Sequence, residues 1–366
     1  MRPISLAALA AVTVCLMSGS SARSSQKRKN EEPKSQVAPL PPEPPMALAV
    51  DTEGLDFHIS PLQRTGGLSA QIHQALNDLI RDTRGETIVK LRAFVAGSGD
   101  ARRVQAYVTD LFTEHKLPLP TISILQVGAL GQESAQVVIE AVVSTRKIVN
   151  PNGLAFFFAQ KGGSLSKALA RLKESTQEAS VDAGRVLTAT CFTSQIDNYQ
   201  TAASEVHALF PNTEVNIVQA IRDPLSDATT CEAIAQLTQA PSEGQVVLLE
   251  FAHATLVHSP QLIFTGLQLS FGNFLDDAHE AFSRLEKDAG TLQHIETPVE
   301  VNAFALDASA AAALRKTVSL APGTFSVQNI EGLSAIDAEA GIEAVLAPNV
   351  DKAVVVKKKA EGTILP

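Results

Sequence analysis

Tryptophan is missing from the 366 residues, tyrosine occurs twice, and only three cysteines and three methionines are present. With only Tyr107 and Tyr199 to stack on a sugar or a base, a carbohydrate- or nucleotide-stacking surface is poorly supplied. Basic runs are short, QKRK at 26–29 and VKKK at 356–359, and the net charge is −9. That balance excludes the basic face a nucleic-acid partner requires. Several active-site signatures are absent as well: the chain has no G-x-S-x-G elbow, H-E-x-x-H, paired C-x-x-C, P-loop or G-x-G-x-x-G. The eight histidines are scattered. His253 and His258 fall in one expected strand, FAHATLVHSP, on opposite faces, so they do not make a metal site. No cofactor is expected. His115 and His207 sit near the C-terminal ends of expected helices, where partial positive charge is favoured.

The first residues read as a targeting segment. Arg2 precedes the apolar run ISLAALAAVTVCLM, and Ser20, Ser21 and Ala22 offer a small-residue cleavage site, so residues 1–22 are expected to be a signal peptide and the chain to be exported, periplasmic or secreted. The run is shorter than the ~20 residues that span a bilayer. Lipid attachment at Cys15 wants a small residue just before it, and Val14 stands there. Residues 23–46, rich in proline and charge, read as a disordered tether that would carry any membrane or cell-envelope contact. Cys191 and Cys231 remain after cleavage. They could pair in an oxidising compartment, but the expectation from sequence is two buried free thiols.

Three near-identical pentapeptides, IEAVV at 139–143, CEAIA at 231–235 and IEAVL at 342–346, place Glu140, Glu232 and Glu343 at domain-sized spacings. Other elements recur in the same order. An aromatic-rich strand opens each unit: LDFHISPL (55–62), LAFFFAQK (154–161) and LIFTGLQL (262–269). An amphipathic helix follows, with a stripe of Leu68, Ile72, Leu76 and Leu79, then of Leu165, Leu169 and Leu172, then of Leu275, Ala278, Phe282 and Leu285. Next come strands at 87–97, 185–194 and 298–307, then a second helix expected to be capped by Asp100, Asp197 or Asp307. The last two strands of each unit end in the pentapeptide. The sequence thus divides into a signal peptide (1–22), a tether (23–46), three α+β copies (47–146, 147–240 and 244–348) and a tail (349–366). Copies of this size leave apolar surface uncovered, which packing into an intrachain pseudo-trimer would bury.

These residues resemble the Rid family, the YjgF-type enamine/imine deaminases. FTEHKLPLPTISILQVGAL (112–130) is similar to the family's helix end, its P-A-R-S segment and the strand after it, and VVIEAVV to its E-I-E-A-I-A strand. DNYQTAASEVHALFP and CEAIA carry the likeness in the second copy, LIFTGLQ in the third, and together it covers roughly residues 50–347. The resemblance implies three chorismate-mutase-like domains, each a mixed six-stranded sheet with two helices on one face, and ligand clefts between neighbouring copies. It also implies where the chemistry should lie. The family's carboxylate-clamping arginine corresponds to Ile122, about Glu214 and Phe325, and its first motif glutamate to Val138, Thr230 and Gly341. Glu140, Glu232 and Glu343 match the second glutamate, a position expected to support the fold.

With the clamp gone, deaminase chemistry is expected to be lost. The expected function is a small-molecule-binding or structural and interaction module working as a monomer. The alternative is an enamine/imine deaminase, or a hydrolase like the chorismatases, which also resemble fused Rid-type units, using one remodelled cleft. Gln105, Lys161 and Arg222 are the candidate ligand contacts, Arg222 because it lies a few positions from the lost clamp.

Overall fold

The computed structural model describes residues 41–358 except 98, 223, 225, 226, 273–275, 277–279, 282, 285, 286, 289–295 and 318–324. The expected signal peptide with Cys15, residues 23–40 of the tether, the end of the tail, and the stripe Leu275, Ala278, Phe282 and Leu285 lie outside the described residues. Among the described residues no helix is long and apolar enough to cross a membrane.

The fold is α+β, with three mixed sheets and five helices among the described residues. The first sheet contains β2 (Leu55–Ile59), β3 (Thr87–Ala96), β4 (Thr121–Val127) and β6 (Val137–Ser144), with α1 (Leu68–Asp82) and α2 (Arg103–Glu114) between them in sequence. The second has β7 (Leu154–Gly162), β8 (Val186–Thr193), β9 (Glu214–Gln219) and β10 (Thr229–Gln236), with α3 (Leu165–Glu178) and α4 (Tyr199–Leu209). The third has β13 (Gln261–Thr265), β14 (Gln268–Phe271), β15 (Glu296–Ala305), β16 (Phe325–Asn329) and β18 (Ala338–Pro348), with α5 (Ala308–Thr317). The spatial orders β2-β6-β3-β4, β7-β10-β8-β9 and β13-β18-β15-β16 correspond strand for strand. In each, the pair β3/β4, β8/β9 or β15/β16 is parallel, which a helical crossover makes possible.

Further strands stitch the sheets together. β5 (Ala129–Leu130) leaves the first sheet to pair with β9, and β17 (Gly332–Leu333) leaves the third to pair with β4. The N-terminal β1 (Ala47–Asp51) pairs with β13 of the third sheet. β11 (Val246–Leu249) and β12 (Ala254–Val257) extend the second sheet beside β7, with β19 (Val354–Val356) on its edge. These exchanges make sheets of five, eight and six strands, so the expected six holds for the third sheet alone.

Period-2 alternation sorts each central strand into two faces. On β6, Val137, Ile139, Ala141 and Val143 pack with Ile72, Leu76 and Leu79 of α1. On β10, Cys231, Ala233 and Ala235 pack with Leu169 and Leu172 of α3. The opposite faces meet one another. Leu55, Phe156, Phe264, Val299 and Val345 form one apolar cluster drawn from all three sheets, and Phe94, Phe192, Phe304, Val138 and Leu267 form a second. Glu140, Glu232 and Glu343 lie on these inward faces.

Four sequence expectations are corrected. Asp307 does cap α5, accepting from the amides of Ser309 and Ala310, but Asn198 rather than Asp197 caps α4, accepting from the Thr201 amide. Asp100 pairs with Arg102 and Arg103 before α2 instead of capping it. His253 and His258 flank β12 instead of sharing it, and His253 takes a left-handed conformation that ends a short 3-10 turn. Cys191 and Cys231 are not free thiols: they face each other across β8 and β10 with Cα atoms 4.1 Å apart and are joined in a disulfide. The two strands are adjacent in space though 40 residues apart in sequence, a proximity that topology supplies and spacing does not.

Candidate functional site

The pentapeptide glutamates converge on one arginine. Arg92, on the inward face of β3, is paired in register with Glu140 on β6, as Thr190 is with Glu232 and Asn302 with Glu343. Its Nη1 reaches Glu232 Oε1 at 2.6 Å and Glu140 Oε2 at 3.3 Å, and its Nε donates to Glu343 Oε1 at 2.7 Å. One guanidinium therefore holds one carboxylate from each sheet. Its planar fork of five donors permits this where an ammonium would not.

A second pattern runs around the site. Glu140 of the first sheet accepts from Thr190 Oγ1 and Asn216 Nδ2 of the second, each at 2.6 Å. Glu343 of the third sheet accepts from Lys90 Nζ of the first at 2.6 Å and from the Ser123 hydroxyl. By register Ser123, Asn216 and Ser326 are equivalent, so two sheet-to-sheet junctions are closed in the same way. The third differs. Ser326 donates to Asn302 Oδ1 at 2.5 Å, and among the described residues Glu232 is bonded only to Arg92.

Burial sets the electrostatics. Lys90 is 6% exposed and satisfies its ammonium on Ser123 Oγ, the Thr265 carbonyl and Glu343. Burial pushes its pKa down against the opposing pull of Glu343. Burial alone would raise the Glu343 carboxyl, but Arg92, Lys90 and the Ser123 hydroxyl outweigh it and hold the group at about 2. Glu300, on the inward face of β15, has no cation so close. Burial, reinforced by the charge of Glu232, pushes it up to about 8, and the charge of Arg92 opposes the shift. Glu232 is raised first by burial, against Arg92.

Glu300 makes stability depend on pH with a definite sign. Between an unfolded carboxyl value of roughly 4.3 and about 8, the folded chain keeps a proton that the unfolded chain has released. Its contribution to stability therefore declines as pH rises through that window and is constant above it. Glu300→Gln should be more stable than the parent at pH 8.5 by about 1–3 kcal/mol and nearly equal at pH 4. Urea unfolding at the two pH values checks this. Equal differences at both would show that Glu300 titrates normally.

Two cavities lie between the sheets, one of them at these groups. The central one, 70 Å³, lies among the three sheets, with Lys90, Arg92, Glu232 and Glu300 at its polar end and Phe57, Ile234, Phe264 and Val345 along its apolar wall. The larger, 310 Å³, lies between the second and third sheets. Phe192, Ile221 and Val327 line it, Thr230 Oγ1 donates to Gln328 Oε1 at 2.7 Å, and Lys161 and Arg315 are exposed in its lining. No aspartate, glutamate or histidine is among its described lining residues.

The three sequence candidates are not brought together. Lys161 lies one residue before the end of β7 and lines the larger cavity. Arg222 forms an ion pair with Glu331 at 2.8 Å, clamping the loop after β9 to the segment before β17. Gln105 is exposed on α2, away from both cavities. Sequence reasoning missed Lys90, Arg92 and Glu300. Their signal was a charged residue inside an apolar strand, in TIVKLRAFVAG and PVEVNAFALD, where only an inward polar cluster pays for burying it.

Comparison with family models and with curated proteins gives no match. Among solved structures, a chorismatase aligns over 81% of this chain and 100% of its own at 11% identity and a TM-score of 0.24. Phosphoribosylformylglycinamidine synthase II from Thermotoga maritima aligns over 81% and 73% at 9% identity and a TM-score of 0.28. Cyanuric acid hydrolase from A. caulinodans aligns over 83% of this chain and 100% of its own at 10% identity and a TM-score of 0.21, a likeness that speaks to neither activity nor ligand.

Proposed function

We propose that the three sheets are degenerate Rid-like copies set about a pseudo-threefold axis, and that the chain is an exported module that binds a small anion without deaminase chemistry. The observation that carries this reading is the 310 Å³ cavity between the second and third sheets: its described lining holds two basic side chains, Lys161 and Arg315, and no carboxylate or imidazole. Its volume falls in the range of ligand pockets. Two cations on an apolar wall suit a carboxylate or phosphate, while a proton-transfer group for imine hydrolysis is wanting.

The positions that would carry the family's chemistry are taken up by other roles. Ile122 packs against the core of the first sheet, and Val138 lies in the cluster around Phe94. A side chain at Gly341 would meet Leu267 at 2.9 Å, and Thr230 is bonded to Gln328. The common strand order and the shared register of Glu140, Glu232 and Glu343 support the pseudo-trimer. The buried disulfide supports an oxidising compartment and hence export.

Titration with 2-oxobutyrate, and with phosphate as the inorganic control, should show saturable binding that weakens tenfold or more in Lys161→Ala and Arg315→Ala. The same preparation should hydrolyse the 2-imino acids formed from serine or leucine no faster than the uncatalysed background. Affinities unchanged in both variants would dismiss this cavity as the site. A rate matching an active Rid protein would restore the enzyme reading.

A further inference from the structure

The central cavity is distinct from the anion cleft and carries the opposite charge. Glu140, Glu232 and Glu343 face two cations, Lys90 and Arg92, leaving one negative charge in excess before Glu300 is counted. An uncompensated buried charge costs several kcal/mol. The imbalance is local. Glu140 and Glu343 accept hydrogen bonds from donors of the neighbouring sheet, but for Glu232 the equivalent Ser326 hydroxyl is turned to Asn302, and Asn302 makes no hydrogen bond to Glu232 among the described residues. The Glu232 side chain is 9% exposed and lines the cavity, and its second oxygen accepts no hydrogen bond from the described residues.

We propose that this 70 Å³ cavity binds a small protonated primary amine, its N–H groups donating to Glu232 and Glu300 and its alkyl carbons lying along Phe57, Ile234 and Phe264. The volume is that of about five water positions, enough for an ammonium head with one or two carbons. Among the described residues no three histidine, cysteine, aspartate or glutamate side chains are grouped to hold a metal ion, so the cation that fits is one bringing its own hydrogen-bond donors. An ammonium restores neutrality, supplies the missing donor at the one open sheet junction, and places its carbon on the apolar wall.

The full chain should be titrated at pH 8.5 with methylammonium chloride, and with sodium chloride and tetramethylammonium chloride at equal ionic strength, following Tm and the NMR signal of labelled methylammonium. Methylammonium alone should give a saturable Tm rise, because only it carries both charge and N–H. Glu232→Gln should weaken binding tenfold or more, and Glu300→Gln serves if that variant does not fold. Binding should also weaken at pH 6, where Glu300 keeps its proton. Of the other charged groups facing the cavity, Lys90, Arg92, Glu140 and Glu343 are paired within the cluster, while Asp56 raises the pKa of His58, which gains its proton over the same range, so Glu300→Gln separates the two by removing the Glu300 part of the pH dependence. Three salts with the same effect, or variants with unaltered affinity, would overturn the proposal, and binding independent of pH would overturn the two-carboxylate site. The anion titration at Lys161 and Arg315 is read separately, so either site can fail without the other.

Discussion

Arg92→Met should lower the stability of the folded chain by about 3–5 kcal/mol, the usual cost of removing one partner from a buried ion cluster. Methionine fills a similar volume, so the loss reports charge and hydrogen bonding more than a cavity. It would leave Glu140, Glu232 and Glu343 facing one another with Lys90 the one cation paired to them among the described residues. Because Arg92 binds a carboxylate from every sheet, the loss should be felt at all three junctions together. Chemical denaturation at pH 7 measures it. Glu232→Gln in the Arg92→Met background should recover part of the loss, since it removes one of the stranded charges, whereas the same change in the parent breaks an Arg92 contact. A loss under 1 kcal/mol for Arg92→Met would mean that the cluster contributes specificity and not stability.

Opening the Cys191–Cys231 bond should cost nearly as much. A closed loop of 40 residues removes about 4 kcal/mol of entropy-derived freedom from the unfolded chain in the loop-closure model. Both cysteines are fully buried between the second sheet and α3, so a reductant gains access only when that region opens. The double variant Cys191→Ala, Cys231→Ala should therefore unfold at lower denaturant, while the parent shifts by the same amount only when unfolded and refolded under reducing conditions. Identical midpoints for parent and variant under oxidising conditions would rule out the bond in solution.

Both predictions rest on residues whose partners lie far off in sequence, which sequence reading missed; it succeeded where the signal is local. The amphipathic stripe at Leu68, Ile72, Leu76 and Leu79 and the alternation through Val137 to Val143 are local signals, because a helix or strand must bury one face, and both were legible. The caps were less so. Asp100 and Asp197 were plausible, yet Asn198 has the better placed oxygen at α4 and Asp100 is drawn to nearby arginines. The disulfide was missed because a cross-strand pair depends on which strands become neighbours.

What the sequence determined by itself is the α+β order of the elements and the recurrence of one glutamate in each pentapeptide, since each depends on residue type and short-range period. The tertiary structure decided that the three glutamates share Arg92, that β1, β5 and β17 cross between sheets, and that Lys161 and Arg315 meet at one cavity while Arg222 does not join them. The physical reason is that a buried charge selects its partner by distance and desolvation in the packed interior. Those quantities exist only after the sheets have closed on one another.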